Sequence, residues 1–167
     1  MGNILRSYAM TDKLEGELVV GDAKVALVVS RTNGFLTSHM QSAAESTWIQ
    51  LGGDSQGLTI ACVPGSLELA VTAKKLAESG DYDAIVCLGC VIRGDTDHFD
   101  HVCEQTAKGI REVGTNTGVP CIFGVITANN LDQALDRAGV KQGNAGREAM
   151  LAAVEMANLM QKVQQGT

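Results

Sequence analysis

The chain is 167 residues long, 45% hydrophobic and 19% charged, and its 13 basic against 19 acidic residues give a net charge of -6 at pH 7. That length suits one domain burying roughly two-thirds of its unfolded surface, and the composition excludes a disordered or collagen-like chain. The acidic balance gives nucleic acid no counterion-release attraction, no apolar run approaches the roughly 18 residues of a membrane span, and residues 1–16 lack the apolar stretch of a secretory leader. A cytoplasmic protein without nucleic-acid or membrane partners is expected. Met1-Gly2-Asn3 opens like a myristoylation signal, but Arg6 stands where the hydroxyl belongs and Ser7 comes one place late, so that reading is set aside.

In chain order, the short Leu18-Val19-Val20 run is too isolated to place in a sheet and, with the tail of residues 1–16, is a candidate for packing on a neighbouring subunit. Lys24 to Val29 is the first strand-length apolar run. Leu36, Met40, Ala43, Ala44, Thr47, Trp48 and Leu51 then repeat at helical spacing and stop at Gly52-Gly53. Leu58 to Val63 is the second strand, and residues 66–79 form the second helix, closed by Gly80. Ala84 to Ile92 is the third strand. It contains Cys87 and Cys90 in a C-x-x-C spacing, but an extended backbone sends residues three apart to opposite faces, which argues against a redox or metal pair. With Cys62, Cys103 and Cys121 they make five cysteines, read as reduced structural thiols. Phe99, Val102, Cys103, Thr106, Ala107, Ile110 and Val113 form the buried stripe of a third helix starting near Asp97, whose first amides Asp97 and Asp100 can satisfy. Cys121 to Ile126 is the fourth strand. Asn130 with Gln133 reads as a capping box opening a short helix to Arg137, and Ala145 to Met160 is the last helix.

Because the strands are nearly continuous apolar runs alternating with helices, both faces of a parallel sheet should be covered. The expected fold is a three-layer α/β/α sandwich, flavodoxin-like in outline, with a four-stranded parallel sheet in a single domain over residues 1–167.

In such sheets ligands bind beyond the carboxyl ends of the strands, where the strand-to-helix loops gather. Those loops hold Thr32 and Asn33, then Pro64 to Glu68, then Arg93 to His98, then Thr127 to Asn130. Arg93-Gly94-Asp95-Thr96 leads into a helix start, where backbone amides can hold an anion, although a plain turn explains it as well. His98 beside it has the pKa class to move protons, against the alternative of a surface histidine. Asp95, Asp97, His98, Asp100 and His101 lack a second ligand cluster, and the helix dipole explains the acids, so no metal is expected. Glu68 is either a dipole-favoured carboxylate or a ligand contact. Arg137, Lys141 and Arg147 are either a solvated basic face or an anion site.

Taken together, Val28-Val29-Ser30-Arg31 with Asn33, Val63-Pro64-Gly65-Ser66 with Glu68, Val91-Ile92-Arg93-Gly94-Asp95-Thr96, His98-Phe99-Asp100, Phe123-Gly124-Val125 and Arg137-Ala138-Gly139 with Lys141 resemble the lumazine synthase family from about Leu14 to Met160. The resemblance implies condensation of 5-amino-6-(D-ribitylamino)uracil with 3,4-dihydroxy-2-butanone 4-phosphate to 6,7-dimethyl-8-ribityllumazine in riboflavin biosynthesis, with no cofactor or metal. It implies that His98 carries protons, that Asp95, Thr96 and Arg137 hold the phosphate, and that Arg93 and Lys141 also bind substrate. Ser66 and Glu68 would hold the ribityl chain, with Gly65 and Leu67 of the same loop also binding substrate. Val91 and Ile92 would meet the ring edge, with Thr32 and Asn33 beside it. Phe123 and Arg137 would come from the adjacent subunit of a homopentamer, closing further into an icosahedral capsid, with riboflavin synthase a candidate partner.

Four positions depart from the family's pattern. Thr32 replaces a stacking Phe or Trp, Leu67 an aromatic, Val140 a threonine, and Ala145 a lysine near the phosphate. These departures motivate a rival expectation, a shell or flavin-binding scaffold with little catalysis. His98, Glu68 and Arg137 favour the enzyme, because a pure scaffold needs none of them.

Overall fold

The computed structural model describes residues 12–166, so the Met1-to-Ser7 reading lies outside the described residues. Strands β1 (Val25–Ser30), β2 (Leu58–Val63), β3 (Ala84–Ile92) and β4 (Cys121–Ala128) alternate with helices α1 (Gly34–Gln50), α2 (Glu68–Ser79), α3 (His98–Thr117), α4 (Leu131–Arg137) and α5 (Ala145–Gln165). All strand pairs are parallel, in the order β2-β1-β3-β4, with Val25 in register with both Leu58 and Ala84. The chain thus steps outward from β1 to β2 and then back across β1 to β3. This reversal opens a crevice between the carboxyl ends of β1 and β3.

Strand alternation divides the core into two layers. Val25, Leu27 and Val29 of β1, with Val86, Leu88 and Cys90 of β3, face Leu36, Met40, Trp48, Met150 and Val154. Ala26, Val28, Ile85 and Cys87 face Leu69, Ala73, Ile110 and Val113 on the other side. Each large side chain so buried contributes about 1.5–3 kcal/mol. Cys87 and Cys90 lie in opposite layers, as their extended backbone requires.

The sequence reading needs correction at several points. Both faces of every strand were expected to be covered, but Thr59, Ile60 and Cys62 of β2 are exposed, because β2 is an edge strand. The fourth strand runs on to Ala128, since its ladder with β3 continues through Ile92. The last helix continues past Met160 to Gln165, there being no glycine or proline before Gly166 to stop it. Neither Asp97 nor Asp100 caps α3: Asp97 makes no side-chain cap bond, and the Asp100 carboxylate is taken by Arg93. Asn130 does cap α4, accepting from the Gln133 amide at 2.9 Å, while Gln133 reaches back to the amide of Asn129 rather than of Asn130. Apart from these corrections, Val20 of the Leu18-Val19-Val20 run is buried while Leu18 and Val19 are exposed, and the described part of the tail hydrogen-bonds to α5 of the same chain. Lys162 donates there to the Glu15 carbonyl at 3.0 Å, and Asn158 to the Val19 carbonyl at 2.9 Å.

Where α5 starts, Gly146 lies against the backbone of Met40 in α1, so closely that a Cβ would collide with the Met40 carbonyl. Backbone cannot yield as a side-chain tip does. Gly146→Ala is expected to lower stability by about 1–3 kcal/mol, read as a fall in Tm, whereas Gly34→Ala, with open space around it, should not. Equal melting of wild type and Gly146→Ala would refute this close approach.

Candidate functional site

The crevice is assembled by short ties between loops. At the end of β1, Asn33 adopts left-handed backbone with φ 54°, a conformation asparagine tolerates better than most residues. Its Nδ2 donates to the Cys90 carbonyl at 2.8 Å, joining the first loop to the end of β3. Thr32 Oγ1 donates to the Pro64 carbonyl at 3.0 Å and so joins it to the loop after β2. In that second loop Ser66 is buried over Gly89 of β3, where a Cβ would stand 2.9 Å from Ser66 Oγ. Gly65 sits beneath Glu68, with its missing Cβ position 3.0 Å from Glu68 Oε2. Both glycines therefore make room for polar side chains of the site.

A cavity of about 280 Å³ results. The first loop supplies Thr32 and Asn33, the second Gly65 through Glu68, the end of β3 Val91 and Ile92, and α3 its first residue, His98. Cys90 and Val102 complete the wall; the sequence reading named one as a structural thiol and the other as part of a buried helix stripe, and neither as a site residue. Val102 was legible as the residue four after His98, one helical turn away on the same face. Burial pushes the Cys90 thiol up to about 11, so it stays a neutral, unreactive wall at physiological pH. Besides that thiol, the acid-base side chains of this lining are one imidazole and one carboxyl group, with no lysine or arginine among them.

The remaining expected site residues stand apart from the cavity. Asp95 and Thr96 are exposed in the loop just beyond it. Arg93 grips Asp100 through both terminal nitrogens, at 3.1 and 2.9 Å, while its Nε donates to Asn129 at 3.1 Å. The guanidinium beside Asp100 holds that carboxyl below the ordinary carboxylate range, so the pair is fully ionised at neutral pH and loosens only in acid. Phe123, on edge strand β4 and 44% exposed, lines an apolar groove of about 630 Å³ with Met156 and Met160. Arg137 is exposed in a separate polar hollow at the start of α5, and Lys141 pairs with Asp136 at 3.3 Å. Asn144 fixes this basic arm: its Oδ1 accepts from the amides of Gly146 and Arg147, and its Nδ2 donates to the Ala138 carbonyl at 2.9 Å.

The family model described as 6,7-dimethyl-8-ribityllumazine synthase matches residues 22–161, the greater part of the chain. The chain belongs to the lumazine synthase family. Every lining residue of the cavity, together with Phe123, Arg137 and Lys141, lies within the matched span. The lumazine synthases are a transferase-type enzyme family. Among the described residues no three His, Cys, Asp or Glu side chains are grouped as metal ligands, and no helix is long and apolar enough to cross a membrane.

Proposed function

We propose that the protein is an active lumazine synthase of the cytoplasm that joins 5-amino-6-(D-ribitylamino)uracil to 3,4-dihydroxy-2-butanone 4-phosphate. One observation carries the reading beyond family membership. The cavity brings His98 and Glu68 together with apolar Val91 and Ile92, yet holds no cation to receive a phosphate. Arg137 and Phe123 are exposed on other faces of the same chain, suited to a neighbour's cavity. A site completed in this way requires a closed ring, and a pentamer, alone or in an icosahedral shell, is the proposed assembly.

In the proposed reaction the pyrimidine amine attacks the ketone and water leaves to give an imine. Inorganic phosphate is then eliminated, and ring closure expels a second water. Holding two reactive partners in one orientation supplies most of the acceleration, and proton transfers supply the rest. His98, at the cavity edge beside the Gly94-Asp95-Thr96 loop, would carry those protons. Asp95 and Thr96 amides with the neighbour's Arg137 and Lys141 would hold the phosphate, and Ser66 and Glu68 the ribityl hydroxyls. Purified protein given both substrates should release lumazine and phosphate in equal amounts, and light scattering should return a pentamer or a multiple of it. A monomer without turnover would overturn the reading.

The place of Thr32 in the cavity wall bears on affinity. Its hydroxyl is engaged by the Pro64 carbonyl, and it offers a flat heterocycle no aromatic face. Stacking adds about 0.5–1.5 kcal/mol beyond area burial, so Thr32→Trp is expected to tighten riboflavin binding several-fold, measured by quenching of flavin fluorescence. It should also lower the pyrimidine KM. Unchanged dissociation constants would remove residue 32 from the heterocycle's wall, and tighter flavin binding without turnover would favour a scaffold.

A further inference from the structure

Arg93 sits at the end of β3 and Asp100 in the first turn of α3, on either side of the Gly94-Asp95-Thr96-Asp97 loop. Their bidentate pair, 2.9 Å at its shorter contact, spans that loop like a strut. A third bond from Arg93 Nε reaches Asn129 beyond β4, and the guanidinium lies 4.2 Å from the ring centre of Phe99, the neighbour of His98. The Arg93 amide is itself fixed to the Ala128 carbonyl at 2.9 Å. Among the described residues, no other side-chain hydrogen bond joins β3 and its loop to α3.

We propose that Arg93 is a positioning residue, not a substrate contact: with Asp100, Phe99 and Asn129 it sets the span of the Gly94–Asp97 loop and the entry angle of α3, and thereby the place of His98 and of the Asp95 and Thr96 amides. This deepens the synthase reading and rests on it. The family resemblance puts Arg93 among the substrate-binding residues. The structure gives a reason to move it, since its guanidinium already makes bonds from all three nitrogens and stacks against a ring. Arg93 and Asp100 are both largely exposed, and exposed ion pairs add little to global stability. Yet small displacements of reacting groups reduce rates steeply. The strut should therefore matter to rate far more than to folding.

The test uses the full chain and the variants Asp100→Asn, Arg93→Gln and their double. Asp100→Asn leaves the Arg93 charge in place and breaks the bidentate ion pair, because the amide keeps only one acceptor oxygen. It is expected to lower kcat roughly ten- to hundredfold with the pyrimidine KM and the Tm nearly unchanged. Amide hydrogen exchange from Gly94 to His98 should quicken several-fold. The double variant should be no slower than the worse single, because both break one device. A direct substrate contact would give the opposite pattern, with Arg93→Gln raising a KM while Asp100→Asn matches wild type in kcat and exchange, and that result would overturn the proposal. Loss of Tm in proportion to the loss of rate would also overturn it, as a purely structural role. Should the wild type lack synthase activity, the functional reading fails, and the exchange contrast still decides whether the strut holds the loop.

Discussion

Turnover by His98→Ala is expected to fall roughly tenfold to a thousandfold, with the pyrimidine KM little changed. His98 is the first residue of α3 and the one imidazole in the cavity lining. General acid-base help of that size is added to whatever orientation provides, so residual activity should survive in the variant. The lower half of the range suits a condensation between two reactive partners. Because His98 is exposed and makes no packing contribution to either core layer, the variant should melt like wild type. Measuring kcat, both Michaelis constants and Tm together isolates the chemical role. Unaltered turnover would take His98 out of the mechanism.

Arg137→Ala should act through the other substrate. A charge-assisted hydrogen bond to phosphate contributes about 1.5–3 kcal/mol, equivalent to a rise of roughly ten- to a hundredfold in the butanone phosphate KM. The pyrimidine KM should be spared. Arg137 lies in a hollow separate from the cavity of its own chain, and the proposed shared site places the effect on a neighbour. Co-expressed Arg137→Ala and His98→Ala chains provide a sharper test. Where the two alternate around a ring, one interface joins an intact His98 to an intact Arg137, and activity should exceed that of either variant alone. Failure to recover activity in demonstrably mixed rings would refute the shared site.

Much of the scaffold was readable from local pattern, because short-range physics governs it. Near-continuous apolar runs located all four strands, and the Asn130–Gln133 spacing located the start of α4. The extended backbone through Cys87 and Cys90 placed their thiols in opposite layers. Periodicity found the helices but not every terminus, since Asp100 had two available partners and local pattern supplied only the helix amides. The tertiary structure brought Arg93 within reach, and the guanidinium took the carboxylate.

The cavity shows the same division. Its loops were recognisable as the polar, glycine-containing ends of strands, and nine of the expected site residues line it: Thr32, Asn33, Gly65, Ser66, Leu67, Glu68, Val91, Ile92 and His98. What no linear pattern contained was distance between elements. Only the order β2-β1-β3-β4 puts the Asn33 amide against Cys90 and Ser66 over Gly89. The same order puts Phe123 on an edge strand, while α5 and its Asn144 cap hold Arg137 away from His98. Hydrophobic periodicity and turn chemistry act over a few residues, so sequence alone determines the elements and their loop ends. Contacts between residues tens of positions apart depend on how the layers stack, and that decided which of the candidate residues share one cavity.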